Sequence, residues 1–171
     1  MILRLSMRIP VFPNWYPYND MLLDRRLMIG RFGVKTRSYN WNYRGPVLLY
    51  NSGRTAWHCV NIYGYERANR ELHHGVIIGA GDLADVRYLD LTEEARMCIN
   101  FNNLKITPKK YWQTLPHAAV TPLPFGYFFS GLKRFDRPIR FNWPSGPVRP
   151  IFIESTEYPQ IHARLVATKA A

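Results

Sequence analysis

The sequence is short of acidic residues, cysteine and long apolar runs, and each shortage argues against a class of protein. Its 171 residues include 12 Asp or Glu against 23 Lys or Arg, which gives a net charge of +11. The two cysteines, Cys59 and Cys98, form no CxxC pair, so neither a disulfide framework nor a cysteine zinc site is expected. No run of about 18 apolar residues is present, so no membrane span is expected. We expect a soluble, cytoplasmic protein.

The common catalytic and phosphate-binding motifs are also missing. Neither GxGxxG nor GxxxxGK[ST] occurs, and the histidines lack the spacing of metal ligands. His58 directly precedes Cys59, so on a strand the two side chains would point to opposite faces and form no dyad. Ser38 and Ser52 have no obvious activating histidine. The sequence therefore predicts no metal site and no cofactor.

Positive charge and aromatic rings are what the chain has in abundance. Aromatic residues make up 15% and apolar residues 47% of the sequence, which is typical of a folded protein. A charge of +11 spread along the chain predicts attraction to nucleic acid, an anionic membrane surface or an acidic protein. The length suits one domain, which we place at residues 1–153, followed by a C-terminal tail or peripheral arm at 154–171.

Short alternating and apolar runs predict a fold that is mainly β. Apolar residues alternate with Arg and Ser over 2–9, which indicates a half-buried strand, and the prolines of 10–18 predict an aromatic loop after it. A short helix is expected from about Asp20 to Gly30. Further strands are predicted near residues 46–51, 75–86, 125–129, 138–141 and 150–153. This pattern favours an α+β, mainly β protein: a small β-barrel with short flanking helices.

One stretch that is both basic and aromatic, residues 35–54, holds most of the candidate binding residues. Cations beside flat rings suit a nucleic acid, because Arg and Lys hold phosphates while rings stack on bases. The alternative is a hairpin whose rings face the core, since such alternation is typical of a half-buried strand. One face must lie inside in either case. The candidate nucleic-acid contacts are Lys35, Arg37, Tyr39, Trp41, Tyr43, Arg44, Asn51, Ser52, Arg54, Lys133 and Arg134.

Three blocks of the chain, GRFGVKTRS with NYRGPVLLYNS, GVIIGAGDL, and FGYFFSGLKRFDRPI, together resemble a known family. The pattern resembles the ASCH domain (activating signal cointegrator homology), a branch of the PUA-like superfamily of small β-barrels. The blocks follow the family's order over roughly residues 30 to 153. The resemblance implies a barrel with a cleft beside Thr36 and Arg37, and an association with RNA or modified nucleosides.

The resemblance also suggests which chemistry to look for. Some members of the family are amidohydrolases that act on N4-acetylcytidine through a Lys, a Thr and a Glu. Phe32 stands at the Lys position, Lys35 at the Thr position and Asp82 near the acidic one, so two of the three roles are changed. Lys35 and Asp82 remain the candidate catalytic pair, with Lys35 as a base if burial lowers its pKa. The alternative is a salt bridge or two solvated side chains.

The sequence as a whole predicts a basic, ASCH-like module that binds RNA or single-stranded nucleic acid without catalysis. Proteins of a ribonucleoprotein are a second class of expected partner, and a membrane is not expected. The alternative function is an N4-acetylcytidine-type amidohydrolase, or another RNA-processing hydrolase, with an altered Lys/acid site.

Overall fold

Seven strands and three helices make up the computed structural model, which describes residues 7–37, 39–67, 72–89, 125–144 and 149–169. The strands are β1 (Arg8–Tyr16), β2 (Met28–Ile29), β3 (Phe32–Arg37), β4 (Gly45–Thr55), β5 (Val76–Tyr88), β6 (Phe125–Arg140) and β7 (Ile151–Glu154). The helices are α1 (Tyr18–Leu23), α2 (Trp57–Tyr63) and α3 (Pro159–Lys169), and a 3-10 turn covers Ser155–Glu157. No helix in these ranges is both long and apolar enough to cross a membrane.

The strands form one sheet in the order β2-β3-β6-β5-β4-β1-β7. Its neighbours pair antiparallel except β1 and β4, which run parallel. Two short strands, β2 and β7, stand at the edges. The long strands β5 and β6 lie towards the middle and set the curvature, since their register shifts at three places.

The sheet is strongly curled, as contacts between distant strands show. β3 and β1 are four places apart in the sheet order, which in a flat sheet would separate them by about 19 Å. The Arg37 side chain on β3 nevertheless donates hydrogen bonds to the Pro13 carbonyl and to Asn14 Oδ1 on β1. The ring of Phe12 likewise lies 5.3 Å from that of Phe129 on β6. The curl therefore folds the sheet around an interior, with α1 seated in it.

The predicted barrel is not closed. Across the described ranges, β2 and β7 form no backbone ladder with each other, so the sheet has two edges. Side chains cover the open side instead: the Phe152 ring of β7 lies 5.5 Å from Tyr43 and 6.3 Å from Trp41, in the segment that follows β3. Closure by side chains rather than by strand pairing leaves the mainly β prediction correct and the barrel prediction wrong in this respect.

Both faces of the central strands are buried, which divides the core in two. Along β4, Val47 and Leu49 join the interior core with α1, while Leu48 and Tyr50 join a second core on the opposite face. This division follows from the two-residue period of a strand. Near-continuous apolar sequence, as in 47–50, is what a strand covered on both faces requires.

α3 covers the second core, so the segment expected to be a C-terminal tail or peripheral arm contains a helix that packs on the sheet. Ile161 is fully buried and Leu165 is 6% exposed, four residues further along one helical face. The helix begins with Pro159, a favoured first residue because its missing N–H has no partner there in any case. A proline at the start and an i, i+4 apolar pair were the signals for this helix.

Strand β1 runs through residues that the sequence assigned to a loop. Pro10 pairs opposite Phe152, and Pro13 lies opposite Tyr50. The φ angle of proline is compatible with extended backbone, and the register shifts just after Asn14, where the ladder becomes irregular. The expected strand at 2–9 is described only from residue 7, and residues 1–6, like Cys98, lie outside the described ranges.

Other predicted elements hold with changed boundaries. The strands expected at 46–51, 75–86 and 150–153 correspond to β4, β5 and β7. The two expected at 125–129 and 138–141 are one strand, β6. Helix α1 ends at Leu23, well before Gly30, because β2 begins at Met28.

Candidate functional site

Strand β3 presents an unusual row of residues to the interior of the curl: Gly33, Lys35 and Arg37. Alternate residues of a strand share one face, so these three side chains project towards α1. A Cβ atom on Gly33 would lie 2.6 Å from a methyl carbon of Leu132 and 3.2 Å from one of Leu22. The glycine therefore lets α1 and β6 approach the strand closely, and the two cations lie beside the start of α1.

Lys35 carries an ammonium group in a crowded, largely apolar position. Its Nζ atom lies 3.5 Å from the centroid of the Tyr18 ring. Burial, followed by the nearby charge of Arg37, lowers the pKa of Lys35 to about 7. The residue as a whole keeps part of its surface accessible to solvent, while its amine is desolvated. Within the described ranges, no carboxylate pairs with it.

Arg37 is held firmly by the opposite wall of the interior. Besides its two hydrogen bonds to β1, of which that to Asn14 Oδ1 measures 2.6 Å, its Cζ atom lies 4.8 Å from the Phe12 ring centroid. Its Nε atom is buried and has no hydrogen-bond partner among the described residues. Burial lowers the pKa of Arg37, yet a guanidinium stays protonated in proteins. Arg37 therefore bridges the curled sheet and retains one unused donor.

A chain of buried amides continues from Arg37 across the interior. Asn14 Nδ2 donates to Asn19 Oδ1 at 2.6 Å, and Asn19 Nδ2 donates to Asn51 Oδ1 at 3.1 Å. Asn51 Nδ2 then donates to Asp20 Oδ2 at 3.0 Å. Each amide is satisfied by its neighbour, which buried polar groups require. The chain fixes the position of Asn14 and, through it, that of Arg37.

At the surface the chain ends in an ion-pair cluster around Arg134. Arg134 Nη1 donates to Asp20 Oδ1 at 2.7 Å, and Nη2 donates to Asp24 Oδ1 at 2.9 Å. The hydroxyl of Tyr65 donates to the second oxygen of Asp24 at 2.8 Å. The carboxylates of Asp20 and Asp24 are therefore already paired within the protein.

The architecture is shared with a solved structure. The chain is similar to a tyrosine-to-phenylalanine variant of ZmASCH from Zymomonas mobilis, with a TM-score of 0.53 over 92% of this chain and 98% of that one. The chain has an ASCH-like fold. The sequence identity is 10%, so the likeness concerns the fold alone. No protein-family model matches the sequence, and no curated protein matches it either.

Three predicted stacking residues of the ASCH-like fold serve its packing. Tyr39, Trp41 and Tyr43 lean on the core, while Asn40 and Asn42 between them are exposed. Trp41 stacks on Tyr43 with centroids 5.0 Å apart. Each ring keeps some exposed surface. The rings therefore pack on the core, as the alternative expected, but they do not lie in a hairpin: residues 39–44 form no strand, and β3 and β4 are not neighbours in the sheet.

Arg44 is largely occupied by the protein. Its Nη1 donates to the carbonyls of Trp41 and Tyr43, each at 2.8 Å. Its Nη2 donates to the carbonyl of Val86 at 2.9 Å and pairs with Asp85 Oδ1 at 3.2 Å. These four contacts hold residues 41–44 against β5, and a phosphate would have to compete with them for the Arg44 guanidinium.

The candidates on β4 lie in three different environments. Asn51 is 1% exposed and belongs to the buried amide chain. Ser52 is partly exposed; its carbonyl accepts from His74 Nδ1 at 2.8 Å, and its buried hydroxyl has no partner. Arg54 is exposed, with its Cζ atom 5.5 Å from the Trp15 ring centroid. Of these three residues, Arg54 is the one that carries a charge, and its side chain is exposed to solvent.

The structure does not bring the proposed catalytic pair together. Lys35 lies opposite Tyr127 of β6, and Asp82 lies opposite Ser130. Those β6 residues are three apart, so their side chains point to opposite faces of the strand. Asp82 is exposed and acts elsewhere: burial first, and then the charge of Asp82, raise the pKa of Tyr43.

On β6, the two candidate cations differ. Lys133 is exposed and makes no ion pair among the described residues, whereas Arg134 forms ion pairs with Asp20 and Asp24.

Across the described ranges, no group of three His, Cys, Asp or Glu residues could hold a metal ion.

Sequence reasoning missed a cleft of about 250 Å³ at the far end of α1. Two exposed arginines, Arg25 and Arg31, line it together with Leu23, Met28 and Leu132. The helix was expected to continue to Gly30, and these arginines would then have been exposed residues on its surface. The turn after Leu23 was the signal that would have placed them on one cleft.

Proposed function

We propose that this protein binds RNA or single-stranded nucleic acid at the interior cations of β3, Lys35 and Arg37. The observation that supports this proposal most is the pair Lys35 and Arg37, two inward-facing cations without a carboxylate partner in the described ranges. Two like charges placed together inside a fold oppose folding, and an anionic ligand would relieve that repulsion. A phosphate of a nucleotide supplies such an anion.

Lys35 is the better ligand group of the two. The guanidinium of Arg37 is hydrogen-bonded to β1, whereas the amine of Lys35 lies against the Tyr18 ring. A phosphate beside it would raise its pKa again, because an opposite charge favours the ammonium form. Binding at neutral pH would then take up a proton.

Exposed cations elsewhere on the surface would extend the contact along the nucleic-acid strand. Arg54 and Lys133 are exposed, and the whole chain carries a net charge of +11. Each phosphate contact is weak and screened by salt, but several together give useful affinity. Protein partners in a ribonucleoprotein are compatible with this binding mode.

The test is fluorescence anisotropy with a labelled oligouridylate of about 12 nucleotides, within the range of single-stranded sites. Lys35→Gln should weaken binding about tenfold, or about 1.4 kcal/mol, and reduce the salt slope by about 0.7. Arg137→Gln, which removes one exposed charge on β6 well beyond the part of that strand that pairs with β3, is the matched control. Equal effects of the two variants would contradict a special role for Lys35.

The pH dependence gives a second, independent readout. Wild-type affinity should fall as pH rises above about 7, since Lys35 must gain a proton on binding. Lys35→Arg keeps its charge at every accessible pH, so its affinity should change less over the same range. Parallel profiles for wild type and Lys35→Arg would exclude proton uptake at this residue.

A second candidate function is amide hydrolysis on a modified nucleoside. Its supporting observation is the same amine: with a pKa of about 7, Lys35 is partly neutral at physiological pH and would act as a base. The substrate to test is N4-acetylcytidine, which with water gives cytidine and acetate in equal amounts. Release of cytidine that Lys35→Gln abolishes would favour this function, and no release by wild type would exclude it for this substrate.

A further inference from the structure

The cleft at the C-terminal end of α1 combines positive charge with an apolar floor. Leu23, Met28 and Leu132 form apolar parts of its lining, and Arg25 and Arg31 stand exposed at its sides. A volume of about 250 Å³ lies just below the usual range for drug-sized ligands, about 300–1,000 Å³. The space suits one phosphate group with the atoms next to it.

Arg25 occupies a backbone position at which structure alone would favour glycine. α1 ends with Arg26 N–H bonded to the Met21 carbonyl at 2.8 Å and Arg25 N–H bonded to the Leu22 carbonyl at 3.1 Å. This is the double hydrogen bond of a Schellman motif, whose left-handed residue is usually glycine. Arg25 takes that conformation with φ of 57°. A side chain in this conformation costs folding energy relative to glycine.

Neither arginine is neutralised within the described ranges. Arg25 forms no ion pair there, and the Cζ atom of Arg31 lies 5.0 Å from the Phe32 ring centroid. The nearest acidic group in sequence, Asp24, is occupied by Arg134 and Tyr65. Two unneutralised guanidinium groups beside one cleft form a site for an oxyanion, because their fork geometry matches phosphate.

We propose that this cleft is a second phosphate-binding site, which holds a phosphodiester group of the same strand that reaches Lys35. The assignment rests on the nucleic-acid-binding function proposed above. The two sites lie at opposite ends of α1, whose six residues span about 9 Å. Arg31 stands four residues before Lys35, at most about 13 Å along an extended chain. One single strand can therefore pass over α1 and contact both.

The acidic residue at the rim supplies a control of opposite sign. Asp82 approaches the lining at Gly131, where an added Cβ would lie 3.2 Å from its Oδ2 atom. A negative charge there repels a phosphate in the cleft. Asp82→Asn should therefore strengthen binding of the oligonucleotide, whereas a strand that avoids this cleft would be affected little.

The experiment compares Arg25→Gln/Arg31→Gln with the wild-type chain, using the labelled oligouridylate across a salt series. Arg67→Gln/Arg137→Gln removes the same charge at exposed positions outside the cleft and serves as the matched control. The cleft variant should bind at least tenfold more weakly and lose about 1.4 from the salt slope, or about 0.7 per phosphate. Uridine monophosphate carries a single phosphate, which under the proposed function binds at Lys35. It should therefore bind Lys35→Gln more weakly than the cleft variant.

The outcomes separate this proposal from the proposed function. If wild type binds the oligonucleotide and the two double variants bind it equally, the second site is overturned and the function stands. If wild type binds it at no salt concentration, the function fails and the second site with it. Thermal melting of each variant verifies that a change in affinity does not come from unfolding.

Discussion

Replacing Lys35 by methionine should stabilise the protein at neutral pH and remove a specific pH dependence. The ordinary lysine pKa of 10.5 applies to the unfolded chain, whereas burial lowers the pKa to about 7 in the fold. Between these values the unfolded chain binds more protons, so the free energy of unfolding rises with pH. Methionine has a similar shape and no charge, and it therefore removes both the penalty and the slope.

The magnitude follows from the shift in pKa. One unit corresponds to about 1.4 kcal/mol, so a shift from 10.5 to about 7 corresponds to about 5 kcal/mol as an upper limit. Because Lys35 keeps some solvent exposure, we expect a gain of about 2–4 kcal/mol for Lys35→Met at neutral pH. Wild type should recover about 2 kcal/mol of this difference by about pH 9.

Urea unfolding at several pH values between about 6 and 9 measures this difference. The series stops at about pH 9 because of the buried thiol of Cys59, whose pKa burial raises from 9.0 to about 11. Above that pH the unfolded chain would lose the thiol proton while the folded protein keeps it, which would lower the free energy of unfolding. Lys35→Arg keeps a charge in the same place and should lack the recovery at high pH. Lys133→Met, at an exposed position, should follow wild type. Parallel stability profiles for wild type and Lys35→Met would refute the reasoning.

Two further predictions concern stability. Ile161→Ala should lower the free energy of unfolding by about 2–5 kcal/mol, because Ile161 is fully buried where α3 covers the second core; urea unfolding measures it, and a loss below about 1 kcal/mol would contradict that packing. Arg25→Gly should raise stability by about 1 kcal/mol through relief of the left-handed backbone, while it weakens oligonucleotide binding. A less stable Arg25→Gly protein would show that the side chain supports the fold.

The strands that could be predicted are those whose side chains reveal their environment. β4 and β5 have apolar runs because both of their faces are covered, and the sequence shows those runs directly. β1 was missed because Pro10 and Pro13 suggest a loop, although extended backbone tolerates the φ of proline. The open sheet was beyond reach because closure depends on which edges meet, a long-range property that no local pattern encodes.

The sequence indicated the segment in which the candidate site lies, but not which of its cations are already bonded to other groups of the protein. Residues 35–54 do contain the interior cations and the rings beside them. Their sequence did not separate Lys35 from Arg37 and Arg44, because the hydrogen-bond partners of each arginine come from strands distant in sequence. Arg25 and Arg31 were passed over for a related reason: the cleft exists only once α1 stops at Leu23 and β6 lies beside it.

The two interior cations of β3 have different surroundings in the curled sheet. A closed ladder between the edges would satisfy backbone groups and need no cation inside. Here a side chain on β3 must reach across to β1, and Arg37 does so with its guanidinium. Its charge then opposes a second one two residues away, which helps to lower the pKa of Lys35. The residue that bridges β3 and β1 therefore also lowers the pKa of Lys35, and under the proposed function a bound phosphate would restore the ammonium form that Arg37 disfavours.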